Sequence, residues 1–114
     1  MSHRDPGTLS EVEARALLDE ARARISQVDE ELIRVIGERR DLVLRVAQAK
    51  AVLGLPVMDP AREAAVVRKA AEKARALGVD EEMTRDVVWR IMAAARAEQE
   101  SRPLGWPEER NGSD

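Results

Sequence analysis

The chain has no cysteine, no Phe and no Tyr, and it carries one histidine and two tryptophans in 114 residues. Each absence removes a class of chemistry. Without cysteine there are no disulfides, no thiolate nucleophile and no Cys-based metal site. The single histidine, His3, stands in the terminal stretch "MSHRDPG" and reads as a tail residue rather than an acid–base group. An aromatic content of 2% provides no set of rings on which bases could stack, and a formal net charge of −3 lacks the basic excess of a nucleic-acid binder. No apolar run approaches the ~20 residues needed to cross a bilayer, and no signal-peptide pattern opens the chain, so the expected setting is the cytoplasm. Neither a metal nor a cofactor is expected, and neither is a nucleic-acid or membrane partner.

What remains is a helical palette. The hydrophobic 44% comes almost wholly from Leu, Ile, Val, Met and Ala, and the charged 36% mixes both signs. A chain of this length makes one domain and buries a large core within a single copy only with difficulty, so an oligomer is expected.

The pattern predicts three helices and no strands, an all-α fold. From Glu11 to Leu53 there is no proline; Ser10 with Glu13 forms a capping-box pattern at the start, and Gly54 followed by Pro56 ends the run. Unbroken, this helix would be roughly 65 Å long and would need something to pack on along much of its length. Its apolar seam reads Leu18, Ala21, Ile25, Val28, Leu32, Val35, Arg39, Leu42, Val46, Ala49, Leu53, in the alternating steps of three and four of a coiled coil. Gly37 lies near the middle and lowers helix propensity by about 1 kcal/mol relative to Ala; a close approach and a slight bend are both open readings. A second helix is predicted from Pro60, N-capped by Asp59, to about Leu77 before Gly78, with the row Glu63, Val67, Ala70, Ala74, Leu77. A third follows Asp80 and continues to about Glu100 through Val88, Met92, Ala95 and Gln99. Residues 10–100 are thus read as one helical domain between two loosely ordered tails, 1–9 and 101–114, with Trp106 of the second expected on the surface.

Each predicted helix carries a polar residue on an otherwise apolar row: Arg39, Glu63 and Gln99. Arg39 and Lys50 are eleven residues apart, within about 20° on one helix face. Charges on such a face need partners, because an unpaired buried charge costs several kcal/mol. An ordinary ion pair, such as Arg39 with Glu63, or side chains reaching out to solvent, would meet that need one residue at a time. Taken together, Arg39, Lys50 and Arg62 facing Glu63 and Asp59, with Gln99 adding uncharged donors, leave room for a small anionic molecule. A carboxylate suits the planar fork of Arg.

Several separated motifs in register resemble the all-helical, AroQ-type (type II) chorismate mutases. They are "ARARISQVDEELIRVIGERRDLVLRVAQAK", then "GLPVMDPAREAAVV", then a helix ending near Gln99, and they cover about Leu18 to Gln99. The resemblance implies an entwined helical homodimer with two shared sites, and conversion of chorismate to prephenate in aromatic amino-acid biosynthesis. Carried over by position, it implies Arg22 from the partner chain with Arg39, Lys50, Asp59, Arg62, Glu63 and Gln99 from the first. The implied roles are a carboxylate clamp (Arg22, Arg39), donors to the ether oxygen (Lys50, Gln99) and a hold on the ring hydroxyl (Glu63, with the backbone near Asp59). Arg62 would orient Glu63 or approach a carboxylate. The family usually has a small hydroxyl residue where this chain has Ala95. Seventeen residues separate Arg22 from Arg39, about 25 Å along a straight helix and rotated by roughly 100°, so the two cannot grip one small molecule from the same helix.

The implied reaction is a rearrangement within one molecule and needs no nucleophile, metal or redox group, which agrees with the missing cysteine and usable histidine. Two alternatives stay open at this point. Isochorismate pyruvate-lyases and aminodeoxychorismate mutases are similar to the same family, and Ala95 does not separate them. A non-catalytic helical dimerisation or regulatory module fits the long seam equally well, but polar residues at four matched positions would weaken a pure dimer seam.

Overall fold

The computed structural model describes residues 8–100, so most of the expected tails, with His3 and Trp106, lie outside the described residues. Three helices account for the described fold, α1 (Glu11–Leu53), α2 (Pro60–Leu77) and α3 (Glu81–Glu100). The boundaries follow from local chemistry. At the start of α1, Glu13 N–H donates to Ser10 Oγ at 3.1 Å and Ser10 N–H donates to Glu13 Oε1 at 2.9 Å, a reciprocal capping box. The helix ends where Gly54 takes a φ of 71°, with Leu55 N–H reaching back to the Lys50 carbonyl at 2.9 Å. Asp59 caps α2 by accepting from Arg62 N–H at 3.1 Å, ahead of Pro60. Gly78, at φ 74°, closes it in the same left-handed way, and Val79 N–H bonds the Ala74 carbonyl at 2.8 Å. Asp80 then caps α3, its Oδ1 accepting from Glu82 N–H at 2.9 Å and Met83 N–H at 3.2 Å.

The chain divides into two compact units, up to Glu38 and from Arg39 onward. The described part of the first is the beginning of α1. Every residue of it except Gly37 is exposed, and Leu18, Ile25, Val28, Leu32 and Val35 of the seam lie between 43% and 56% exposed. Its visible order is local: Arg34 pairs with Glu31 at 2.6 Å and Glu38 at 3.3 Å, and Arg15 with Glu11 at 3.7 Å. A Cβ added at Gly37 would meet nothing within 4 Å.

The second unit holds the end of α1 with α2 and α3. Among the described residues the buried ones are Ala71, Ala74 and Met92, a small core in which alanine lets α2 and α3 approach closely. This refines the row expected on α2. Ala71 replaces Ala70 at its centre, and Leu77 is 79% exposed, because at 100° per residue it lies roughly 90° from the line between Ala71 and Ala74. On α3, Met92 is buried and Val88, Ala95 and Gln99 are half-buried along the expected row. Arg40 near the end of α1 donates from Nε and Nη2 to the Glu98 carboxylate at 2.8 to 3.1 Å, joining α1 to α3. Arg75 and Glu81 pair at 2.6 Å across the α2–α3 turn. None of the three helices is long and apolar enough to cross a membrane.

Candidate active site

The second unit holds an open-sided hollow of about 240 Å³ between its three helical segments. Its floor is apolar, from Val43 and Val46 on α1, Val66 on α2 and Met92 on α3, with Val57 from the loop before α2. Around that floor stand Arg39, Lys50, Asp59, Arg62, Glu63 and Gln99, with Ala95 between them. All the candidate site residues but one are therefore brought together. Arg22 belongs to the first unit, is exposed, and is not among the lining residues.

Placement follows from helix spacing. The steps of four, three and four that separate Arg39, Val43, Val46 and Lys50 put two cations at the ends of one apolar row. The Asp59 cap and Pro60 start α2 so that Arg62 and Glu63 fall in its first turn. Gln99 reaches the hollow from the last turn of α3.

Most of these groups are lightly committed. Lys50 Nζ donates to the Val57 carbonyl at 3.1 Å, which occupies one of three donors and leaves its charge uncompensated. Gln99 Nε2 lies 3.5 Å from the Val43 carbonyl, a bond weak enough to be exchanged for a better acceptor. Arg39 and the Arg62 guanidinium make no hydrogen bond or ion pair with the described residues. Arg39 is half-buried nonetheless.

Glu63 is the exception, and its partner was missed by sequence reasoning. The Glu63 carboxylate accepts from Arg96 Nη2 at 3.0 Å and Nε at 3.4 Å. Neither Arg39 nor the Arg62 guanidinium pairs with Glu63; the Arg62 backbone N–H donates to the Asp59 cap. The reason is direction. Arg62 and Glu63 are neighbours on α2 and project about 100° apart, whereas Arg96 faces Glu63 across the helix interface. Arg96 also lines the hollow, bringing its charged groups to four cations against two carboxylates. The signal for it in the sequence was slight: an arginine next to Ala95, just off the apolar row of α3.

A second hollow of about 550 Å³ borders α2 and α3, sharing Glu63 and Met92 with the first and adding Arg68, Glu72 and Trp89. Although larger, it is poorer in free charge, since Arg75 and Arg85 on its rim both pair with Glu81. The Arg75 guanidinium, first by hydrogen bond and then by charge, holds the Glu81 carboxyl below the usual carboxylate range. The smaller hollow is therefore the better candidate for a charged ligand. Among the described residues no cluster of His, Asp and Glu is arranged to hold a metal ion.

With this geometry in hand, the comparisons are specific. The chain is 36% identical over 77 residues to a T-protein of Enterobacter agglomerans, covering 68% of this chain and 21% of that one. It is 32% identical over 82 residues to a T-protein of Haemophilus influenzae, covering 72% and 22%. A chorismate mutase of Methanocaldococcus jannaschii is 34% identical over 64 residues, covering 56% of this chain and 65% of its own. The chain thus spans about a fifth of the T-proteins and under two thirds of the archaeal enzyme. No solved structure matches at a significant level. The family model described as chorismate mutase type II matches residues 21–100, which takes in every residue lining the smaller hollow and Arg22 as well, and the chain belongs to that family.

Proposed function

We propose that the chain is a chorismate mutase that converts chorismate to prephenate in aromatic amino-acid biosynthesis, working in the cytoplasm as a homodimer. The observation that carries this reading is the charge of the smaller hollow. Four cations against two carboxylates leave an excess of two positive charges around an apolar floor, and chorismate is a compact molecule with two carboxylates. The volume, near 240 Å³, suits a small molecule.

The rearrangement breaks an ether C–O bond and forms a C–C bond within one molecule, so the site has to hold the folded conformer and stabilise charge developing on the ether oxygen. Arg39 takes one carboxylate and Arg22 of a second chain the other, with Arg62 close enough to assist. Lys50 and Gln99 donate to the ether oxygen, each giving up a weak or neutral partner to do so. Glu63 accepts from the ring hydroxyl, and the backbone near Asp59 holds the hydroxyl oxygen by donating to it. No cofactor enters.

Two features support the second chain. The seam residues of the first unit are exposed among the described residues, and most helical stability in proteins comes from packing an apolar face against a neighbour. Charge also complements: the described first unit has eight acids against four bases, the second twelve bases against ten acids.

The test is incubation of the purified protein with chorismate, isochorismate and aminodeoxychorismate, with products identified by chromatography. Prephenate from chorismate is expected. Release of pyruvate from isochorismate in its place would reassign the substrate, an outcome that Ala95 in the wall makes worth seeking, and no turnover of any of the three by a folded protein would leave a structural module.

A further inference from the structure

Glu63 lines both hollows of the second unit, so its carboxylate stands on a shared wall. Nothing in α2 itself decides which side it serves. Arg96 does: it lines the smaller hollow and not the larger, and it grips both Glu63 oxygens. Arg96 is itself held, its guanidinium lying 5.9 Å from the centroid of the Trp89 ring two turns back on α3. The guanidinium thus meets a carboxylate through two N–H groups while lying over an indole, and the two-pronged contact is one that lysine cannot reproduce.

The arginine of this pair is also more enclosed than those of the others that join helices, while the carboxylates are alike at 28% to 31% exposed. Arg96 and Glu63 are 24% and 31% exposed, whereas Arg40 and Arg75 are at least half exposed beside their partners. Screening by water is correspondingly weaker, so the geometry is better fixed.

We propose that Arg96 is a positioning residue of the site: braced by Trp89, it holds the Glu63 carboxylate on the side of the smaller hollow, aligned to accept from the ring hydroxyl of the substrate. This rests on the chorismate mutase reading. It assigns Arg96 no contact with the reacting atoms; its effect passes through Glu63. A displaced carboxylate would hold the substrate in a less reactive pose, and misplacement of that kind commonly lowers turnover by up to about a hundredfold.

The experiment is a double-mutant cycle with Arg96→Met and Glu63→Ala, read as kcat and KM separately on chorismate, with Arg96→Lys as the conservative variant. Arg96→Met should lower kcat by about tenfold to a hundredfold with a smaller change in KM. It should have almost no further effect in the Glu63→Ala background, and Arg96→Lys should recover part of the loss. A purely structural brace would predict the same loss in both backgrounds, and that result overturns the proposal. Trp89 gives a readout without turnover: in a Trp106→Phe parent its emission should shift with Arg96→Met and, in the same direction, with Glu63→Ala. An emission that ignores Glu63 breaks the proposed chain of contacts. Should Arg96→Met fail to fold, Arg96→Lys carries the cycle alone. Absence of wild-type turnover sinks the chorismate mutase reading and this role with it, whereas wild-type turnover with additive losses sinks this role alone.

Discussion

Residues 8–38 and residues 39–100 are both helical, yet they are held in different ways. The first unit is a run of α1 with no buried side chain, ordered by a capping box and by charge pairs one turn apart. The second has three helical segments, a core of two alanines and a methionine, ion pairs between helices, and the hollow. Charge pairs on an exposed helix contribute a few tenths of a kcal/mol each. Burial between helices contributes more, at about 25 cal/mol per Å² of apolar surface. One unit therefore carries a hollow ringed by charge, while the other carries a long apolar seam left exposed among the described residues. A shared-site dimer gives both features a use, and each prediction below sets the two units against one another.

The largest expected effect concerns the arginines contributed by each unit. Arg22→Ala in the first and Arg39→Ala in the second should each lower turnover by on the order of 10² to 10³, the usual cost of removing one preorganised partner of a charged substrate. Mixed in equal amounts and allowed to exchange subunits, the two inactive variants should recover activity, since a heterodimer has one site with both arginines and one with neither. Random pairing restores about one quarter of the sites. No recovery after exchange has been confirmed by mass spectrometry would mean that Arg22 serves no site in a partner chain.

A smaller contrast lies in the caps. Asp80→Ala removes the acceptor for two N–H groups at the head of α3, which packs on α2, and should lower stability by about 1 kcal/mol while leaving turnover unchanged. Ser10→Ala breaks the box at the head of α1, where the described residues are all exposed. An end that frays alone reports little of its loss in global unfolding, so a change of only a few tenths of a kcal/mol is expected. Urea midpoints at fixed protein concentration compare the two. Equal losses would show that the start of α1 is clamped in the assembled protein.

How far the sequence could be read follows the same division. Helix boundaries were legible because they are local: Ser10 with Glu13, Asp59 with Pro60, Gly54 and Gly78 act within a few residues. The gathering of Arg39, Lys50, Glu63 and Gln99 was visible as polar residues on apolar rows, since a row already states which way a side chain points. Arg96 was not visible. It is one step off the row of α3, its partner is thirty-three residues away, and their meeting depends on how α2 crosses α3, which no periodicity records. The centre of the α2 core was misplaced by one residue for a similar reason. Ala70 and Ala71 are equally apolar, and only the packed partner, Met92, chooses between them.

Gly37, in the last turn of the first unit, offers the smallest effect and the finest test. The sequence left it as a point of close approach or of bending. A Cβ there would meet open space, and φ is not positive, so within one chain nothing requires glycine. Its position relative to the seam matters next. Gly37 is two residues from both Val35 and Arg39, hence about 160° around the helix from each, on the side away from the surface that a second chain would cover. Alanine should therefore fit in the monomer and in the dimer alike, and Gly37→Ala should raise stability by about 0.4 to 1 kcal/mol through the lower entropy of the unfolded chain. Unfolding in urea at two protein concentrations would measure it. A loss that grows as the protein is diluted would place a neighbouring chain against Gly37 and move the dimer contact off the Leu18–Leu53 seam to the opposite face of α1.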